Sequence, residues 1–400
     1  MTDQNIIVRV AGRGEGVTAD GRHAALAAPG DTLTSDGQVL PGPHHQVPPC
    51  QHFPRCGGCQ LQHLDDECYA QFIVDRIAGA LASQGLTTQI RAPLLSPPHS
   101  RRRASFHAER KGNQVILGFS QAGSHDLVDL KSCWILDPVL FGLLKPMRVL
   151  LARLMTAKRR VEIQLTLVDQ GVDMLITGVA AEGLDVAEAI SAFGGAHGIA
   201  RIAIDNGLGP ETRWEPLGAT ITLGGVPVPF PTAAFLQATP EGEAALVAAV
   251  QEAVGAAKTV ADLFAGLGTF TFALAPIAKV YAAEAGRDAL FALKAAGARA
   301  QLPVFADHRD LYRRPLTPAE LDRFDAIVID PPRAGAKEQA DGLAASKSPV
   351  LAYVSCNPST FARDAKTICD GGYQLDWIQP VGQFRWSTHI ELAAKFSHRG

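Results

Sequence analysis

The sequence predicts an α/β protein whose C-terminal part is a doubly wound, Rossmann-like domain, preceded by an α+β middle domain and a small N-terminal β segment. Three observations predict it. Beyond about residue 239, short apolar β-branched runs such as Asp325-Ala326-Ile327-Val328-Ile329 alternate with helix-compatible stretches, the grammar of a buried parallel sheet. Asp262-Leu263-Phe264-Ala265-Gly266-Leu267-Gly268 then forms a glycine turn between one such strand and a helix. Upstream, Val161-Glu162-Ile163-Gln164-Leu165-Thr166-Leu167 alternates with period two, as in a half-buried strand of a different sheet.

In chain order, residues 1–45 read as three or four short strands with turns at Gly12, Gly14, Gly16 and Gly30, too few to bury a core alone. A Pro/His/Gly linker around Pro41 to Pro49 leads into residues 46–236, the expected middle domain. There Tyr69, Phe72, Ile73, Ile77, Ala80 and Leu81 keep helical spacing, while residues 115–119 and 161–167 read as strands. Residues 237–400 form the expected third domain. Thr239 is an N-cap, Pro240 takes the first helical position, and Glu241 and Glu243 complement the helix N-terminus. Seven strands follow, at 259–264, 279–284, 303–306, 324–330, 349–355, 373–379 and 389–396. The last two have no room for a helix between them and must pair antiparallel.

With 400 residues, 47% hydrophobic and 19% charged, the chain has the composition of a multidomain globular protein and excludes disorder. No apolar run approaches the roughly 20 residues that a bilayer requires, and Met1-Thr2-Asp3-Gln4-Asn5 lacks a secretory pattern. A cytoplasmic protein with no membrane partner, monomeric, is expected. In that reducing compartment the seven cysteines are metal ligands, catalytic thiols or core fillers rather than a disulfide framework. A net charge of −3 does not advertise nucleic-acid binding. Arg101-Arg102-Arg103 with Arg110-Lys111, Lys158-Arg159-Arg160 and Arg313-Arg314 are basic clusters that could meet phosphates or simply be solvated loops.

Three constellations carry chemistry. Gly266 and Gly268 let the backbone approach a ligand, and Glu284, ending the next strand, can accept hydrogen bonds from ribose hydroxyls. Thr271 replaces the third glycine of a dinucleotide fingerprint. Together with the antiparallel end of the sheet, this fits S-adenosylmethionine better than a dinucleotide. Cys50, Cys56 and Cys59 form a knuckle around Gly57-Gly58, with Cys133 as fourth ligand. Such a set suits an iron–sulfur cluster or zinc, and the spacing does not choose between them. Cys68 and Cys369 lie in helical stretches and read as packing residues. Finally, Cys356 ends a strand and precedes Asn357-Pro358, placed for nucleophilic attack. Asp330-Pro331-Pro332-Arg333 ends the strand before it, and His389 and Glu391, two apart, should share one strand face.

These motifs, with Phe235-Leu236-Gln237 and Thr388-His389-Ile390-Glu391, make the region from Cys50 to the end resemble the RNA uracil-5-methyltransferases, specifically the iron–sulfur branch acting on 23S ribosomal RNA. The resemblance implies a class I methyltransferase domain and a [4Fe-4S] cluster on Cys50, Cys56, Cys59 and Cys133. It implies donor binding by Gln237, Asp262, Phe264, Gly266, Gly268, Glu284 and Asp330, and contacts to the target base from Phe235, Arg333 and His389. It also implies that Cys356 attacks uracil C6 and that Glu391 removes the C5 proton. Where the family motif usually begins Phe-Pro, this chain has Phe384-Arg385-Trp386. The N-terminal segment resembles a truncated TRAM domain.

Other readings are a methyltransferase for the transfer RNA T-loop, whose enzymes commonly lack the cluster cysteines, and a methyltransferase of exocyclic amines, which would need no Cys356. From another class comes a non-catalytic iron–sulfur RNA-binding or redox-sensing module.

Overall fold

The computed structural model describes residues 5–112, 114–155 and 159–399. Met1 to Gln4 and the basic-cluster residue Lys158 lie outside them.

The C-terminal sheet orders its strands Val304–His308, Lys279–Glu284, Thr259–Leu263, Ala326–Ile329, Val350–Ser355, Glu391–His398 and Tyr373–Gly382. The first five run parallel and the last two form the expected antiparallel hairpin. Strand order reverses between Thr259–Leu263 and Ala326–Ile329, which opens a crevice at their carboxyl ends. The Ala326–Ile329 strand is buried at every residue because helices cover both faces. Thr239 caps helix Pro240–Val254 by accepting the Gly242 N–H, with Pro240 in the first turn.

Helix Asp66–Ala82 precedes the middle sheet in sequence but packs into the C-terminal core. Tyr69, Phe72, Ile73 and Ile77 share one apolar cluster with Tyr353, Phe361 and Phe396. The short strands Gln89–Ile90 and Leu94–Leu95 extend the same sheet along Tyr373–Gly382.

The middle sheet has seven strands, ordered Leu127–Asp129, Gln114–Ser120, Arg103–Lys111, Val161–Val168, Gly171–Thr177, Ile199–Asp205 and Pro210–Trp214. Helix Leu144–Leu154 packs Met147, Leu150 and Leu151 against it. Among the described residues the N-terminal segment holds five strand pieces, Ile7–Val10, Gly16–Thr18, His23–Ala24, Thr32–Leu33 and Val39–Leu40. Its own core is Ile7, Ala24, Ala27 and Leu33, too little apolar surface to stand alone. Among the described residues no helix is long and apolar enough to cross a membrane.

Candidate active site

A cavity of about 830 Å³ opens at the strand reversal. Its floor begins with the glycine turn. Phe264 takes φ 63°, Gly266 takes φ 55°, and the Gly266 N–H donates to Glu284 Oε2 at 2.8 Å. Glu284 Oε1 accepts the Gly286 N–H at 2.6 Å, so its carboxylate is fixed with lone pairs left for a ligand. Phe264, Gly266 and Glu284 line the cavity. Asp262 and Gly268 do not: both lie behind the wall. Asp262 Oδ2 accepts the hydroxyl of Thr271 at 2.5 Å, which explains a threonine where a dinucleotide turn has glycine. Gly268 has φ 96°, and a Cβ there would lie 2.7 Å from the Phe272 ring.

Asp330 follows the Ala326–Ile329 strand directly, and its N–H donates to the Leu263 carbonyl at 3.2 Å. Burial and the nearby Asp262 carboxylate push its carboxyl up to about 7. The Arg333 carbonyl accepts from Asn357 Nδ2 and Thr360 Oγ1, each at 3.1 Å. That ties the Asp-Pro-Pro-Arg loop to the Cys-Asn-Pro turn, and the two motifs meet in one crevice. Cys356 is half-buried and lines the cavity. Burial, then Glu391 and Asp330, push its thiol up to about 11, opposed by Arg333.

Glu391 is 5% exposed and opens the Glu391–His398 strand. Burial and Asp330 push its carboxyl up to about 8, against the hydrogen bond from Gln383 and the charge of Arg103. His389 corrects the expectation of a shared strand face. It lies in the loop before the strand, its N–H bonded to Ser387 Oγ at 3.1 Å, yet it lines the same cavity. Burial holds its imidazole below the usual range, aided by Arg333 and Arg101.

Gln237 is buried, and its Oε1 accepts from Gln383 Nε2 at 2.8 Å. Gln383 Oε1 in turn accepts the Ala238 N–H at 2.9 Å. Phe235 is 61% exposed at the mouth, with the Arg103 guanidinium 4.5 Å from its ring centroid.

The first basic cluster is neither a solvated loop nor a plain phosphate patch. Arg102 is buried, donating to the Gln237 carbonyl at 3.1 Å and pairing with Glu243 at 2.6 Å. Arg103 lines the cavity at the strand reversal, and Arg101 lines a second cavity. Arg110 caps the carbonyls of Ala152 and Met155, whereas Arg313 is largely in solvent beside Asp310.

The second cavity, about 380 Å³, is lined by Cys50, Cys56, Cys59 and Cys133. Backbone bonds build it. The Gly57 N–H donates to the Ser120 carbonyl at 3.0 Å, and a Cβ at Gly57 would lie 2.9 Å from that oxygen. His52 Nε2 accepts the Lys131 N–H at 2.9 Å and so positions the loop bearing Cys133. Burial pushes Cys59 up to about 12 and raises Cys56 and Cys133, so these thiols stay protonated unless a metal replaces the protons. Among the described residues the trio with ligand atoms within 4.8 Å of one another is His44, Asp65 and Cys68, not any three of these cysteines. Zn–S bonds of about 2.3 Å would draw tetrahedral sulfurs to roughly 3.8 Å apart. Four thiols around one cavity could hold either zinc or an iron–sulfur cluster. In the trio, Asp65 caps its helix through the Cys68 N–H and bonds His44 at 2.9 Å, a structural role. Cys68 and Cys369 pack into the C-terminal core, as expected.

Sequence reasoning left Arg103 in a basic cluster and assigned no site role to Gln383 or Tyr312. Tyr312 lies on the loop after the Val304–His308 strand, and position just past a parallel strand was the available signal. Gln383 stands where the resembled family commonly has an Asp, but its partners are distant in sequence and gave it no role.

Comparison with known proteins shows the family and the fold. A family model described as tRNA (uracil-5-)-methyltransferase matches residues 304–398. A Zymomonas mobilis protein named as an RNA methyltransferase is 48% identical over 392 residues, covering 98% of this chain and 99% of its own. The 23S rRNA (uracil(1939)-C(5))-methyltransferase of Edwardsiella ictaluri is 32% identical, covering 88% of this chain and 82% of its own. The structure of Pyrococcus abyssi tRNA (uracil-54, C5)-methyltransferase in complex with S-adenosyl-L-homocysteine superposes with a TM-score of 0.75. It is 20% identical and spans 98% of this chain and 99% of that one.

Proposed function

This chain belongs to the RNA uracil-5-methyltransferase family, and from that premise we propose that it methylates C5 of a uridine in 23S ribosomal RNA with S-adenosylmethionine as donor. The observation that carries the reading is the meeting of Cys356, Asp330 and Glu391 in one buried cavity. S-adenosylmethionine supplies an electrophilic methyl group on a cationic sulfur. Glu391 is a buried acid and Asp330 a half-buried one, and such a cation would relieve both, while the glycine turn and Glu284 would hold the nucleoside end.

Uracil C5 is a weak nucleophile. Cys356 gives up its thiol proton to solvent and adds to C6 as the thiolate, and the electrons of the C5=C6 bond move through C4 onto O4. That enolate takes the methyl group at C5, and S-adenosylhomocysteine leaves. Glu391 then accepts the C5 proton, the C5=C6 bond re-forms, and the thiolate is expelled. Phe235, Arg333 and His389 surround the base, which must leave its stack to enter.

The cysteine cavity favours the ribosomal substrate. Its four thiols would hold a [4Fe-4S] cluster, which when bound would brace the loops it joins. The ribosomal relative is 32% identical over most of both chains. The transfer RNA reading rests on the description of the family model.

The test is to incubate anaerobically purified protein and labelled S-adenosylmethionine with unmodified 23S ribosomal RNA and, separately, transfer RNA, then map 5-methyluridine by mass spectrometry. Product in ribosomal RNA is expected. Product only in transfer RNA would correct the substrate, and none in either would remove the reaction.

A further inference from the structure

The cysteine cavity and the catalytic cavity share a wall. Phe384 and His389 line both, with ring centroids 5.7 Å apart. On the cysteine side the Arg101 guanidinium lies 5.5 Å from the Phe384 ring. On the far flank of the catalytic cavity Arg103 covers exposed Phe235. The outer rim of the cysteine cavity carries Trp134, 39% exposed.

Trp134 is paired with exposed His99 at a centroid distance of 5.3 Å. His99 takes φ 61°, which a histidine seldom adopts, and its N–H donates to the Trp134 carbonyl at 2.9 Å. The turn sets the imidazole against the indole and holds both at the surface as one ledge. Neither ring has a part in methyl transfer.

Trp134, Arg101 and Phe384 line the cysteine cavity and Phe384, Arg103 and Phe235 line the neighbouring one, so rings and guanidinium groups lie on both sides of the shared wall. Single-stranded nucleic acid is held by that combination, bases on rings and phosphates on cations. Extruding one base also leaves its neighbours without a stacking partner. We infer that the Trp134–His99 ledge takes a second unstacked nucleobase, a neighbour in the RNA of the uridine held in the catalytic cavity. This rests on the uracil-methylating reading of that cavity and adds an anchoring site to it. Continuity with the catalytic cavity and the neighbouring guanidinium favour RNA over a protein partner, whose docking would need a wider apolar patch.

The test uses the anaerobically purified protein and an RNA fragment carrying the mapped target uridine, with 2-aminopurine placed in turn at each flanking nucleotide. Wild type should quench one flanking position. Trp134→Ala should lose that quench, weaken RNA binding roughly five- to a hundred-fold, and raise the KM for RNA more than it lowers kcat. Trp134→Phe should restore most of the loss, and donor affinity should not change. Because Trp134 adjoins Cys133, His99→Ala serves as a second variant; it leaves the cysteines untouched and should weaken binding in the same direction. Unchanged RNA affinity and quench in both alanine variants would overturn the ledge while leaving methylation standing. Failure of wild type to bind or methylate any RNA would overturn the functional reading first.

Discussion

Leu61 donates its backbone N–H to the carbonyl of Trp386 at 2.9 Å, and Gln60 donates to the same oxygen. The segment just after Cys59 is thereby joined to the loop that ends at Glu391. The Tyr69 hydroxyl adds a bond to the Phe384 carbonyl at 3.1 Å. Loosening the knuckle should therefore reach the catalytic base. Cys59→Ala should abolish visible absorption of the anaerobic protein and lower kcat by about 10- to 100-fold, the scale on which supporting shells matter. Donor affinity should stay within about twofold, because the glycine turn is elsewhere. Calorimetry beside steady-state kinetics checks this, and an unchanged kcat would show that the knuckle does not brace the loop.

Donor binding should depend on pH with a defined sign. Asp330 is pushed up to about 7, so in the ligand-free protein it is protonated below that value. A cationic ligand favours the carboxylate, so binding expels a proton and affinity rises as pH increases from 6 to 8. Titration calorimetry in two buffers of different ionisation enthalpy measures the release. Asp330→Asn should weaken binding and flatten the pH dependence; a slope retained in this variant would assign the proton elsewhere.

Sequence patterns made the strands of the C-terminal sheet and its antiparallel last pair legible, because buried strands and glycine turns leave local marks. Cys356 and Asp330 were legible as strand-end residues, whereas Glu391 was expected inside a strand that the structure begins at that residue. Two kinds of feature were not. The helix Asp66–Ala82 showed its spacing but not its destination, since an apolar face does not say which core will bury it. The roles of Arg101, Arg102 and Arg103 were hidden because consecutive residues on an extended strand point to opposite sides, so one charge cluster serves three sites. The N-terminal strand pieces, several only two residues long, carry too little alternation to count.

Gln383 holds Gln237 from behind. Gln383→Ala leaves Gln237 Oε1 and the Ala238 N–H without their partner in a buried site. Each such orphan costs about 1–3 kcal/mol. Donor affinity should fall roughly tenfold or more, with a smaller loss of thermal stability. Binding within twofold of wild type would mean that Gln237 is set by the Arg102 contact to its carbonyl.

Gly268 should tolerate no side chain, although it does not line the cavity. Its φ of 96° is costly for any other residue, and the new Cβ would lie 2.7 Å from the Phe272 ring. Gly268→Ala should cost about 1–3 kcal/mol of stability, read by denaturant unfolding. A midpoint equal to wild type would show that the turn relaxes.

Glu391 separates addition from elimination. Its carboxyl is pushed up to about 8, so below that pH the free protein carries the acid, which cannot accept the C5 proton. Turnover should rise with pH up to about 8, and Cys356, held up near 11, should keep the upper limb from flattening sharply. Glu391→Gln keeps the shape and the bond to Gln383 but cannot accept the proton at any pH. Thiolate addition and methyl transfer proceed in this variant while elimination stalls, so a protein–RNA adduct should accumulate and survive a denaturing gel. Turnover should fall by about 10²- to 10⁴-fold. Adding Cys356→Ala removes the thiol placed to form the adduct, so the band should vanish in the double variant. A band that persists there would assign the covalent bond to another residue, and a single variant with no adduct would move the proton-accepting role away from Glu391.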